Sequence, residues 1–127
     1  MANPGFIKNF HAAGTLGAYR IAAYFDQKDF TVAQSADPSK PIVGLTEHGS
    51  DRNGRVDIVM TQTGNVEYGG DIKNGDPIVP DENGKAIALD ISAYAEDAQI
   101  WVLGNALEDG RAGTIGTSTI NPFLIVK

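Results

Sequence analysis

Chemistry in a polypeptide needs a nucleophile, a proton carrier, a metal cage or an anion cradle, and each leaves a pattern of residue types. The chain of 127 residues holds two imidazoles, His11 and His48, and no cysteine. The missing thiols exclude cysteine catalysis, iron–sulfur clusters, disulfide staples and thiolate zinc sites, and they leave the redox compartment open. No Gly-x-Ser-x-Gly is present to set up a serine nucleophile, so both histidines read as surface or packing residues. Oxygen ligands remain, which suit Ca²⁺ or Mg²⁺. Asp51-Arg52-Asn53-Gly54-Arg55-Val56-Asp57 is calcium-loop-like, but its glycine stands fourth rather than sixth and Arg55 takes a ligand's place. Asp81-Glu82-Asn83-Gly84 has the same fault and continues into Lys85. Both read as hairpin turns in which Asn-Gly takes positive φ. The other carboxylates, Asp26, Glu47, Glu67, Asp90 and Glu108 among them, are scattered through turns with no pair suited to acid–base work. Tyr68-Gly69-Gly70-Asp71 and Leu103-Gly104-Asn105 match neither phosphate-binding fingerprint. The expectation is a protein that is not an enzyme and uses no cofactor and no metal.

The elements around these residues are short and heavily punctuated. Gly occurs 15 times and Pro 6 times, and Asn53-Gly54, Asn74-Gly75, Asn83-Gly84 and Asp109-Gly110 are turn dipeptides. Between them the sequence predicts strands over 19–25, 30–33, 42–46, 56–61, 65–68, 86–89, 100–103 and 114–120. Phe123-Leu124-Ile125-Val126 reads as a final core strand, and Trp101, between Ile100 and Val102, as a core residue. Residues 90–98 could form a short helix with Ser92 as its N-cap. The fold class expected is all-β: a small antiparallel β-barrel or sandwich with Gly-rich hairpin turns, an N-terminal arm over residues 1–13 and a single β domain over 14–127. The arm carries Phe6, Ile7 and Phe10, and such an apolar segment packs either on its own barrel or on a partner chain.

Hydrophobic residues make up 42% of the chain, enough for a globular core, and the net charge is -6. That acidity speaks against nucleic acid as a partner, because phosphate binding needs a cationic surface. The longest apolar runs fall far short of the ~20 residues that span a bilayer, so no membrane partner is expected. The opening residues lack the basic end and apolar stretch of a signal peptide, which predicts a soluble protein made in a cytoplasm.

An ordered set of motifs resembles a known family. Ala36-Asp37-Pro38 through Pro41-Ile42-Val43-Gly44-Leu45-Thr46 is followed by Gly54-Arg55-Val56-Asp57-Ile58-Val59 and Thr63-Gly64-Asn65-Val66. Then come Gly69-Gly70-Asp71-Ile72-Lys73-Asn74-Gly75-Asp76-Pro77-Ile78-Val79, Asp81-Glu82-Asn83-Gly84-Lys85-Ala86 and Val102-Leu103-Gly104-Asn105-Ala106-Leu107-Glu108. Over residues 36–113 this order and spacing is similar to that of the small capsid cement, or decoration, proteins of tailed phages. The arm, residues 90–97 and the tail 121–127 have no counterpart in that pattern.

The resemblance implies a non-enzymatic β-barrel on the outer capsid surface of the virion, made in the host cytoplasm. It would bind the expanded head and bridge subunits of the major capsid protein. It also implies self-association, as a homotrimer first and a dimer second. Phe6, Ile7 and Phe10 are the expected contacts to the shell or to a sister subunit. The alternative is a carbohydrate- or cell-surface-binding β-sandwich module of a virion, for which Tyr19, Tyr24, Tyr68 and Tyr94 could supply stacking surfaces.

Overall fold

The computed structural model describes residues 5–127, so the first four residues of the expected arm lie outside it. Five strands close into a barrel: β1 (Ile7–Ala12), β2 (Arg20–Tyr24), β3 (Thr31–Gln34), β4 (Ile42–Thr46) and β5 (Arg55–Val59). Around the barrel their order is β1-β3-β2-β4-β5. All neighbours are antiparallel except β1 and β3, which run parallel through His11↔Thr31 and Ala12↔Val32. The remaining strands are β6 (Gln62–Glu67), β7 (Pro77–Pro80), β8 (Ala86–Ala88), β9 (Gln99–Val102), β10 (Gly104–Asn105), β11 (Ile115–Ile120) and β12 (Phe123–Val126). They form a three-stranded sheet, β10-β7-β8, and two ribbons, β11-β6 and β12-β9.

The side-chain pattern explains why these segments are strands. In β4 every residue is buried, because one face looks into the barrel and the other meets the outer sheets. Val43 joins Phe10, Leu16, Ala22, Val32, Val56 and Ile58 inside the barrel. Ile42 and Leu45 face a second core with Val66, Tyr68, Ile72, Ile78 and Leu103. A third, smaller core joins Val79, Ile100 and Val102, with Ile125 partly buried against it. Gly44 allows the close approach of β4 to β5, since a Cβ there would stand 2.1 Å from the Val59 carbonyl oxygen. Tyr68 fills the second core, and its hydroxyl donates to the Glu108 carbonyl at 2.8 Å.

Several expectations change. Residues 7–12, read as part of a separate arm, are β1, a stave of the barrel hydrogen-bonded to β5 from Ile7↔Val59 to His11↔Arg55. Phe10 belongs to the barrel core and is only 5% exposed. The segment 90–98 holds a single 3₁₀ turn, Ile91–Ala93, and its cap is Asp90, whose carboxylate accepts from the Ser92 N–H. Ser92 lies inside the turn, and Asp90, two residues earlier, is the cap that accepts from its N–H. The tail is a strand but not a core strand: β12 pairs only with β9, and only Ile125 is partly buried. Trp101 is half-buried against the second core.

The two Asp-x-Asn-Gly turns share one construction. Asp51 Oδ1 accepts from the N–H of Asn53 and Arg55, and Asp81 Oδ1 accepts from the N–H of Asn83 and Lys85. Only the glycines take positive φ, 75° at Gly54 and 73° at Gly84; the asparagines do not. The carboxylates are occupied by their own turn backbone, which accounts for them without a cation. The second turn closes the β7–β8 hairpin, where Pro80 pairs with Ala86.

Candidate functional site

The residues with potential for catalysis are engaged elsewhere or stand apart. His11 is exposed on β1, its Nδ1 2.8 Å from Arg55 Nη1. His48 is exposed beside a shallow depression lined by Ser50, Asp51, Arg55 and Asp57. The Ser50 hydroxyl accepts from the Leu16 N–H, and Asp57 accepts from Asn9 Nδ2. Among the described residues no group of three or more His, Asp or Glu side chains is placed to hold a metal ion.

The most tightly built charged group is Glu67 on β6. Arg20 Nη1 meets its Oε1 and Lys85 Nζ its Oε2, each at 3.0 Å. The hydrogen bond from Lys85 is the largest influence on the Glu67 carboxyl; burial opposes it, and the Arg20 hydrogen bond and the two cations' charges tip the balance, so its pKa lies below the usual value. These partners come from β2 and from the β7–β8 turn. The group therefore ties the barrel to the outer sheet and is structural in character.

The surface is more informative. Phe6 is 57% exposed and Ile7 49%, whereas Phe10 points into the barrel. What the sequence did not reveal is the partner of this end of β1, the β2–β3 hairpin. Phe30 at its base is 61% exposed and Tyr24 is also exposed. With Lys8, Phe10, Thr31 and Met60 they line an apolar cavity of about 290 Å³ at the mouth of the barrel. The Lys8 ammonium lies 5.1 Å from the centre of the Phe30 ring, within cation–π range.

The hairpin is strained. Asp26, Gln27 and Phe30 have φ of 48°, 54° and 51°, and such left-handed positions cost non-glycine residues roughly 1–2 kcal/mol each. A bulky aromatic is seldom held in that region, and here its side chain stays largely exposed. A second apolar surface lies on β12, where Phe123, Leu124 and Val126 are exposed.

The tyrosines considered for carbohydrate stacking are dispersed. Tyr68 is fully buried, Tyr19 and Tyr94 are half-buried, and Tyr24 alone among them is exposed.

No protein-family model matches this sequence, and no curated protein matches it. Among solved structures the chain is similar to the head fiber gp8.5 N base in bacteriophage phi29, with a TM-score of 0.67 and 23% sequence identity. The match covers 91% of this chain and 93% of that one, so the two share the all-β fold nearly from end to end.

Proposed function

We propose that this chain is a structural protein of a phage head, displayed on the outer capsid surface of the virion, and that it acts as a decoration, or cement, protein. The observation that carries the reading is the fold likeness to a phage head fiber base over 91% of the chain. The ordered motifs of residues 36–113, similar to those of capsid cement proteins, point the same way. The exposed apolar mouth, with Phe6, Ile7 and Phe30, supplies a contact surface of the kind such a role needs.

In this reading the partner is the major capsid protein, and the protein bridges its subunits on the expanded head. Stabilisation follows from mass action. A ligand that binds the mature shell and not its disassembled form stabilises it by RT ln(1 + [L]/Kd) at each site, repeated over the lattice. Clustering of copies adds avidity. The net charge of -6 keeps free protein soluble before assembly. No catalytic step and no cofactor enter. The carbohydrate-binding alternative is left with Tyr24 as its exposed tyrosine and is the weaker reading.

Co-sedimentation with expanded and unexpanded heads of a phage encoding the chain tests the proposal. Saturable pelleting with expanded heads alone is expected, and the plateau gives the copy number. Protein left in the supernatant with both forms overturns it.

A further inference from the structure

One seam of the closed barrel, between β1 and β3, is paired at one end only. In the β1–β5 ladder, Met60 N–H donates to the Phe6 carbonyl and Ala12 N–H to the Gly54 carbonyl. Antiparallel pairing alternates, so Lys8 and Phe10 also face β5, while Ile7, Asn9 and His11 present their N–H and C=O groups to the other side. His11 confirms this phase, because its N–H donates away from β5 to the Phe30 carbonyl at 2.8 Å. The parallel strand β3 begins only at Thr31 and pairs with His11 and Ala12. Ile7 and Asn9 therefore face a gap, with the apolar cavity of Tyr24, Phe30 and Met60 behind it.

The same chain carries a second open edge. Lys127 N–H donates to the Ala98 carbonyl, which puts Ile125 and Phe123 in the bonds to β9 and turns Leu124 and Val126 outward. Trp101, opposite Leu124, confirms the phase by donating away from β12 to the Pro38 carbonyl at 2.7 Å. Here each edge keeps two residues with free backbone groups, spaced one apart, and each is flanked by exposed apolar side chains: Phe6, Ile7, Tyr24 and Phe30 at one, Phe123, Leu124 and Val126 at the other.

We infer that these edges meet between copies: β12 of one chain adds as a strand beside residues 7–9 of β1 in the next. The match is in length, in the number of free backbone groups and in apolar character. Backbone hydrogen bonds would supply register, and Leu124 or Val126 would enter the cavity at the barrel mouth, as in strand addition generally. The two edges are different, so the contact is head-to-tail, and a head-to-tail contact that closes makes a ring. The inference concerns the free protein and does not depend on the head-surface reading.

The absence of cysteine makes the test direct. Ile7→Cys and Val126→Cys proteins are purified separately, mixed and oxidised, and disulfide-linked dimers are read on non-reducing gels. The mixture is expected to cross-link at least several-fold more than either variant alone. Equal cross-linking by Val126→Cys alone, meaning that β12 meets itself, overturns the proposal, as does a mixture that stays unlinked. Leu124→Pro supplies an independent arm. The Leu124 N–H points outward, so proline there removes no bond to β9 yet blocks an incoming strand. Where proline unfolds the chain, Val126→Lys places a charge on the same edge with the backbone intact. Either variant, with an unchanged circular dichroism spectrum, is expected to sediment as the 13.4 kDa monomer under conditions where the parent associates. An assembly that survives both contradicts the proposal.

Discussion

Phe10 separates an arm from a barrel strand. It is 5% exposed and packed among Leu16, Ala22, Val32, Val43, Val56 and Ile58. Truncating a buried Phe to Ala removes its transfer free energy and leaves a cavity, together about 3–5 kcal/mol. With an unfolding entropy of ~2.1 cal/mol/K per residue, a chain of 127 residues has about 0.27 kcal/mol/K, so 1 kcal/mol shifts Tm by about 4 °C. Phe10→Ala should therefore lower Tm by about 11–19 °C in a thermal melt followed by circular dichroism. Phe6→Ala, four residues away and 57% exposed, should change stability by no more than about 0.5 kcal/mol, or about 2 °C. In head binding the order reverses: Phe6→Ala should weaken pelleting at unchanged Tm. A Phe10→Ala protein that melts with the parent would refute the placement of β1 in the barrel and restore a detachable arm.

Three further outcomes follow from the geometry. Gly44→Ala would force a Cβ to 2.1 Å from the Val59 carbonyl oxygen, so overpacking should cost about 1–3 kcal/mol in urea unfolding. Asp81→Ala leaves the N–H groups of Asn83 and Lys85 without their acceptor and should cost about 1–2 kcal/mol in the same assay. Because the folded-state pKa of Glu67 is depressed below 4.5, the stability it contributes is present above that pH and is lost as pH falls through the lower folded value. Glu67→Gln should accordingly melt below the parent at neutral pH, and the two melting curves should converge as pH falls through the lowered folded-state value.

Much of the barrel was legible because its strands are short apolar runs between Gly and Asn turns. The segment 42–46 was read with its final boundaries, since a strand buried on both faces is a continuous apolar run. β1 was missed because Lys8, Asn9 and His11 interrupt its pattern: the strand has a buried face for only part of its length and an open edge beside it. The tail misled in the opposite sense. Phe123-Leu124-Ile125-Val126 has core composition, yet β12 lies at an edge where three of its four side chains are exposed. Both errors fall on strands with an unpaired edge, where exposed apolar side chains break the usual link between composition and burial. The cavity at the barrel mouth was not legible at all, because it joins Lys8 and Met60 to Tyr24 and Phe30 through long-range closure of the barrel. Phe6 and Ile7 were reachable from the sequence as exposed apolar residues, and the strain at Phe30 left no sequence signal beyond the polar turn before it.

Electron cryo-microscopy of expanded heads incubated with the purified chain tests the central claim most directly. Density for the five-stranded barrel standing on the outer surface at repeated lattice positions is the predicted result. Heads that remain bare at saturating protein would contradict the account.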